Sequence, residues 1–168
     1  MLNIAPHDSG EQIKIKFHDW EKKPRTVLRS IKVGDIFCFK FDVDRYGYGR
    51  IISRIDIGDC AEIFDCFTDV PCQPDLSRCK RSIPPVILDS YSLFDRKRVG
   101  DWRIIGHQQD FKPEDVENIY YSYGAESMKR RVDIWGQEER ISDAEAQKYP
   151  AYTPRGDEAV KKLIRQSG

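Results

Sequence analysis

Three apolar runs that follow one another along the chain constrain its fold more than any other feature. Residues 36–41 read Ile-Phe-Cys-Phe-Lys-Phe, and residues 48–56 and 61–67 are also rich in β-branched and aromatic side chains. Turn-forming residues separate the runs, at Asp42 to Gly47 and at Gly58-Asp59. Sequential strands with short connections pair as an antiparallel meander, and long strands twist and curl. The sequence therefore predicts a curved, mainly antiparallel sheet that is partly barrel-like.

Further strands are expected around this meander, giving six to eight in all. They are recognised by alternating or continuous apolar residues between turn signals. The predicted segments are a short strand with Ile13, Ile15 and Phe17, a strand at Val86 to Leu88, a strand at Trp102 to His107, and a hairpin of Ile119 to Tyr123 with Met128 to Trp135.

Helices are predicted mainly towards the C-terminus. Ser142 and Glu145 have the spacing of a capping box, and residues 157–166 carry apolar side chains on one helical face. A short helix at residues 75–81 and a helical turn at residues 113–117 are also expected. Strands followed by helices indicate an α+β fold. We expect residues 31–168 to form a single domain and residues 1–30 an N-terminal extension packed on it.

Composition and cysteine usage narrow the classes of protein. The 28 basic and 28 acidic residues cancel, so the chain lacks the strongly basic character of most nucleic-acid binders. The five cysteines are odd in number, and residues 1–10 resemble no secretory signal. We therefore expect a cytoplasmic protein with reduced cysteines, several of them in the core. No apolar run is long enough to suggest a membrane segment.

The sequence contains no clear catalytic or cofactor motif. There is no Cys-x-x-Cys pair, no Gly-x-Ser-x-Gly elbow and no phosphate-binding loop. Gly47 and Gly49 begin like a dinucleotide fingerprint, but the third glycine is missing and a strand follows. Two glycines in a strand instead indicate close approach of a neighbouring chain or a large side chain. We expect no metal, no cofactor and no enzymatic activity.

The distribution of charge suggests a surface for binding a partner. Between Ile55 and Ser77 the chain has acidic residues but no lysine or arginine. Such an acidic edge would speed encounter with a basic partner, although it would equally serve as a charged edge that prevents aggregation. Tyrosines are favoured at interfaces. The predicted contact residues are Asp56, Asp59, Glu62, Asp65 and Asp69, with Tyr46 and Tyr48 as aromatic anchors.

Three segments resemble the immunity protein 26 family of bacterial polymorphic toxin and contact-dependent growth inhibition systems. They are residues 31–37 (IKVGDIF), residues 45–52 (RYGYGRII) and residues 102–107 (WRIIGH), and the resemblance extends over about residues 31–166. It implies a cytoplasmic protein that catalyses no reaction. Its partner would be the C-terminal domain of a cognate toxin, which it would neutralise by covering the active site or substrate surface. A nuclease with a basic cleft is one toxin that the acidic edge would complement.

Two other interpretations remain open at the level of sequence. The first is a nucleic-acid-binding module on a small barrel, supported by basic clusters at residues 78–81, 96–98 and 129–131. The second is a hydrolase that uses Cys38 or Cys66 as nucleophile, with His107 as base. We expect a protein partner and no direct binding to nucleic acid, and the patterns do not specify an oligomeric state.

Overall fold

The computed structural model describes residues 14–20, 28–95 and 100–168, and these residues form two antiparallel sheets and three short α-helices. The mainly antiparallel α+β fold with helices near the C-terminus is therefore confirmed. The strands are β1 (Ile15–Phe17), β2 (Asp35–Lys40), β3 (Tyr46–Ile55), β4 (Gly58–Thr68), β5 (Val86–Leu88), β6 (Trp102–Gln108), β7 (Tyr120–Tyr123), β8 (Arg130–Asp133) and β9 (Glu138–Arg140). The helices are α1 (Ser90–Phe94), α2 (Asp143–Ala146) and α3 (Asp157–Ser167).

The larger sheet has six strands in the order β1-β6-β2-β3-β4-β5. The predicted meander forms its centre, as β2, β3 and β4. Irregular register between β3 and β4, near Gly47 and near Ile51, marks bulges that bend these strands. The sheet is curved but does not close into a barrel, because β1 and β5 remain as its two edges.

The glycines of β3 make room for the aromatic side chains of β2. A Cβ atom at Gly49 would lie 2.3 Å from Cζ of Phe37, and one at Gly47 would lie 2.5 Å from Cζ of Phe39. The prediction that these glycines admit a large side chain is confirmed. The fingerprint-like pattern is thus a packing device for the core.

One face of the six-stranded sheet carries the main hydrophobic core. Phe37, Phe39 and Trp102 are stacked or tilted against one another there, with ring centroids 4.4 Å apart for Phe39 and Trp102. Helix α1 adds Phe94 to this cluster, and α3 adds Val160 and Ile164. The apolar stripe predicted for the C-terminal helix therefore packs on the sheet.

The opposite face of the six-stranded sheet carries two smaller clusters. In one, Tyr48 and Phe64 pack with Cys38. In the other, Tyr121 of β7 and Ile134, which directly follows β8, pack on strands β3, β4 and β5. The Tyr121 hydroxyl donates a hydrogen bond to the carbonyl of Pro85 over 2.8 Å. The second sheet is thus docked on the first by a buried tyrosine.

Several local expectations differ from the structure. Residues 113–117 form no helix, Gly58 and Asp59 lie inside β4, and β9 adds a strand to the predicted second hairpin. Cys66 and Cys79 are joined by a disulfide, which corrects the expectation that all five cysteines are reduced. Strand β1 pairs with β6, but most of residues 1–30, Ile13 among them, lie outside the described residues, as does the basic cluster at 96–98.

Candidate partner-binding surface

The five predicted acidic contact residues do not share one exposed surface. Asp56, Asp65 and Asp69 are exposed, whereas Asp59 is only 2% exposed and Glu62 only 6%. Strand β4 is interior to the sheet and is covered on both faces. Side chains that point to either face are therefore buried along its first half. The predicted acidic edge is therefore divided into exposed and buried members.

Glu62 lies at the centre of a buried ion network. It accepts hydrogen bonds from Nε of Arg50 at 2.8 Å and from Nη2 of Arg81 at 3.0 Å. Arg81 also donates to the carbonyl oxygens of Glu114 and Asp115, and Arg50 stacks over the ring of Phe111 at 4.0 Å. This network ties the loop after β6 to the sheet. The geometry assigns Glu62 a structural role, and in this state it is not presented to a partner.

Asp59 is committed to similar internal contacts. Its carboxylate accepts from Nε of Arg54 at 2.7 Å and from the hydroxyl of Ser90. Arg54 in turn donates to the carbonyl of Ile31 at 2.7 Å. The side chain therefore joins the β3-β4 hairpin to the start of α1.

The two predicted aromatic anchors also lie inside the fold. Tyr48 is fully buried, its hydroxyl is 2.6 Å from Oγ1 of Thr68, and the backbone N–H of Cys72 donates to it over 3.0 Å. Burial raises the pKa of the Tyr48 phenol far above its usual range. Tyr46 is half-buried and packs edge-on against Trp20. Neither tyrosine offers a freely exposed ring.

A different set of residues, four of them exposed and Tyr152 half-buried, forms a surface that we call the aromatic–acidic patch. The rings of Tyr123 and Tyr152 lie 5.5 Å apart, and the Tyr123 hydroxyl donates to the carboxylate of Glu138 at 3.0 Å. Burial raises the pKa of Tyr152, and the nearby carboxylates of Asp56 and Glu138 raise it further. The patch comprises Asp56, Tyr123, Trp135, Glu138 and Tyr152.

The hairpin between β8 and β9 gives the patch its exposed tryptophan. Trp135 is 54% exposed, and its backbone N–H donates to the carboxylate of Asp133 at 2.8 Å. The next residue, Gly136, has φ of +83°, and a Cβ atom added to it would lie 3.9 Å from Cγ2 of Ile55 at the end of β3. The turn therefore brings Trp135 towards the same end of the sheet as Asp56.

The two carboxylates of the patch differ in whether a basic residue pairs with them. Glu138 also contacts Nε of Arg130 at 3.3 Å, which partly neutralises it. Asp56 is exposed and makes no hydrogen bond or ion pair within the described residues. Of the predicted acidic residues, Asp56 is thus the one placed near the half-buried ring of Tyr152.

Sequence reasoning missed most of this patch for a physical reason. Tyr152 lies in a segment without regular structure, and Trp135 and Glu138 are placed by a tight turn and a three-residue strand. These features carry weak periodic signals. The sequence signal for this patch is Trp135-Gly136, in which a large aromatic residue precedes a turn-forming glycine. Trp135 is instead predicted from the sequence to lie at the end of a strand.

The basic clusters do not form a continuous free surface in the described residues. Arg81 is bound to Glu62, and Arg131 is paired with Glu139 and lies 4.0 Å from the ring centroid of Tyr120. Lys129 donates to the carbonyl of Gly124. Phosphate contacts require available cations, so this pairing disfavours the nucleic-acid-binding alternative.

The suggested thiol nucleophiles are not arranged for catalysis. Cys66 is in the disulfide, and burial raises the pKa of the Cys38 thiol to about 12. His107 instead contacts Asp35, with 2.9 Å between Nδ1 and Oδ1. A reactive cysteine needs a depressed pKa, so the hydrolase alternative lacks its central requirement.

The described residues contain no cluster of three or more side chains of the types that bind metal ions. None of the helices in this part of the chain is long and apolar enough to cross a membrane.

Comparison with known proteins supplies one family. Neither curated proteins nor solved structures gave a match. The pattern of the family described as Immunity protein 26 matches residues 32–133, from the start of β2 to the end of β8. This region is more than half of the chain and includes strands β2 to β8, so the chain belongs to the immunity protein 26 family.

Proposed function

We propose that this chain is a cytoplasmic immunity protein that binds the C-terminal domain of a cognate toxin and covers its active site or substrate surface. Family membership supports an immunity function. The toxin would belong to a polymorphic or contact-dependent inhibition system. In this proposal the chain acts by occupancy and catalyses no reaction.

The observation that carries the proposal is the aromatic–acidic patch on a chain of this family. Tyrosine and tryptophan are enriched among residues that dominate binding energy, because they bury large areas at low entropic cost. Asp56 and Glu138 add negative charge beside these rings. The patch therefore fits a toxin surface that presents arginine or lysine, as a nuclease cleft does.

The exposed members of the predicted acidic edge are spread along β4 from one end to the other. Asp56 precedes the strand and Asp69 follows it, and eleven strand residues at about 3.3 Å each give a separation on the order of 30 Å. One small interface would not cover both ends. We place the toxin contact at Asp56, and treat Asp65 and Asp69 as the competing location.

Association kinetics with the purified toxin domain test this placement. Asp56→Lys should reduce the association rate constant about tenfold at low salt and flatten its salt dependence, since rim charges steer encounter. Trp135→Ala should act mainly on dissociation and raise its rate tenfold or more. Both rates are measured by surface plasmon resonance at several salt concentrations.

Two variants act as controls. Glu158→Lys changes an exposed carboxylate in the first turn of α3 that pairs with Arg165 and with no residue of the patch, and it should leave both rates within twofold of the parent. Asp69→Lys tests the competing location. If Asp69→Lys slows association while Asp56→Lys does not, the contact lies at the other end of β4 and our placement is wrong.

A further inference from the structure

A cavity of about 330 Å³ opens between the larger sheet and the C-terminal helix. Its walls come from residues 83–87 at the start of β5, from Pro150 and Ala151, and from Leu163 of α3. The volume falls at the lower end of the roughly 300–1,000 Å³ that small-molecule sites occupy. It is therefore large enough for a compact ligand.

The walls of the cavity are chemically apolar. Two of the lining residues carry hydroxyl groups that are already used, because Tyr121 donates to the carbonyl of Pro85 and Ser167 donates to the carbonyl of Ile164, each over 2.8 Å. Apart from Thr153, Arg155 and Gln166, the other lining residues are prolines and aliphatic residues. A ligand would bury hydrocarbon there without losing hydrogen bonds.

Arg155 is the one charged residue that lines the cavity. Its backbone is fixed at the sheet edge, since its N–H donates to Ile87 over 2.7 Å and its carbonyl accepts from Asp89 over 2.9 Å. Its guanidinium makes no ion pair or hydrogen bond within the described residues. An apolar cavity thus has one uncommitted positive charge on its wall.

Two neutral donors share the exposed rim with Arg155. Thr153 and Gln166 line the cavity and are exposed, and their side chains have no hydrogen-bond partner in the part of the chain described. No aspartate or glutamate is among the lining residues. The rim can therefore receive a negative head group without repulsion from the wall.

We propose that this cavity binds a small amphiphilic monocarboxylate, with its hydrocarbon body on the apolar wall and its carboxylate on Arg155. Arginine is suited to this role because its planar fork donates two parallel hydrogen bonds to a carboxylate. The site does not depend on toxin binding. Part of it, from Pro150 onward, lies beyond the segment that matches the family.

Calorimetric titration of the full chain with octanoate, octanol and octylammonium, all below their aggregation concentrations, tests the proposal. Octanoate should bind with one-to-one stoichiometry and at least tenfold more tightly than octanol, because a charge-assisted hydrogen bond is worth about that factor. Octylammonium should not bind. Absence of octanoate binding at millimolar concentration would overturn the proposal.

Three variants locate the site. Arg155→Gln should weaken octanoate at least tenfold and leave octanol unchanged, and Leu163→Trp should abolish binding of both by filling the cavity. Gln166→Glu changes an exposed helical position that is safe for folding, and should weaken octanoate by placing a carboxylate at the rim. Circular dichroism confirms that each variant is folded.

Two results would assign the cavity differently. If octanoate affinity were the same in Arg155→Gln as in the parent, the anion would not be held by this arginine. If octanoate failed to bind while Leu163→Trp abolished toxin binding, the cavity would hold an apolar side chain of the toxin. Either result refutes the carboxylate site, and the second would also add a toxin contact at the cavity to the one that we propose at Asp56.

Discussion

At the scale of single residues, the packing of Gly49 against Phe37 gives the sharpest prediction. A Cβ at Gly49 would lie 2.3 Å from Cζ of Phe37 and 2.5 Å from the carbonyl oxygen of Glu62, and neither a buried ring nor a strand backbone can move away easily. Gly49→Ala should therefore reduce the free energy of unfolding by about 3 kcal/mol, as overpacked core positions do. Urea denaturation monitored by tryptophan fluorescence measures the loss.

Gly156→Ala is the matched control for this substitution. Its added Cβ would lie 3.7 Å from Oγ of Ser92, an ordinary contact, and its φ of −86° suits alanine. The cost should stay below about 1 kcal/mol, which is the loss expected at a helix N-cap. Equal losses for the two variants would mean that crowding by Phe37 is unimportant.

Charged residues show where reasoning from sequence stops at this scale. The glycine pattern could be interpreted correctly because a glycine in a strand has few physical explanations. An acidic residue such as Glu62 has many possible explanations. Its neighbours in sequence do not reveal its partners Arg50 and Arg81, which reach it from β3 and from the loop before β5. Burial of charge depends on partners that are remote in sequence, so the acidic edge was predicted as one surface when it is not.

At the scale of elements, strands with strong apolar patterns were predicted well and short elements poorly. Strands β2 to β6 lie within a few residues of the predicted segments. Strand β9 is exposed at every position and α1 has only five residues, so neither shows a clear hydrophobic periodicity in the sequence. Their positions are set by contacts with the rest of the fold, as when Leu93 and Phe94 of α1 enter the main core.

The disulfide between Cys66 and Cys79 gives a prediction at this scale. It links Cys66, near the end of β4, to Cys79 in the loop before β5, across a sequence separation of 13 residues. Closing a loop of this size removes freedom from the unfolded chain and is worth about 3 kcal/mol. Adding dithiothreitol should therefore lower the free energy of unfolding of the parent protein by about that amount, as measured by urea denaturation.

The double variant Cys66→Ser/Cys79→Ser is the control for the disulfide. It should match the reduced parent in stability and should not respond to dithiothreitol. Cys38 and Cys60 are buried and should not contribute to the response. A parent protein whose denaturation curve is the same with and without reductant would show that the bond adds no stability.

At the scale of the whole molecule, the two sheets share one buried cluster and should unfold together. Tyr121 of the smaller sheet, together with Ile134 in the turn after β8, packs with Ile52, Cys60 and Ile87 of the larger sheet. The smaller sheet has only three short strands, and such a sheet is not stable alone in water. The positions of Tyr123, Trp135 and Glu138, and with them the aromatic–acidic patch, therefore depend on this docking.

Tyr121→Ala should uncouple the two sheets. Loss of a buried aromatic side chain costs about 3–5 kcal/mol, and the amides of β7 to β9 should then exchange with solvent much faster than those of β2 to β4, measured by hydrogen–deuterium exchange. Tyr121→Phe keeps the ring and removes only the hydroxyl that donates to Pro85, so it should cost about 1–2 kcal/mol and preserve the exchange pattern. Uniform acceleration in every strand of Tyr121→Ala would instead show that the two sheets cannot separate, and that the patch is as rigid as the core beneath it.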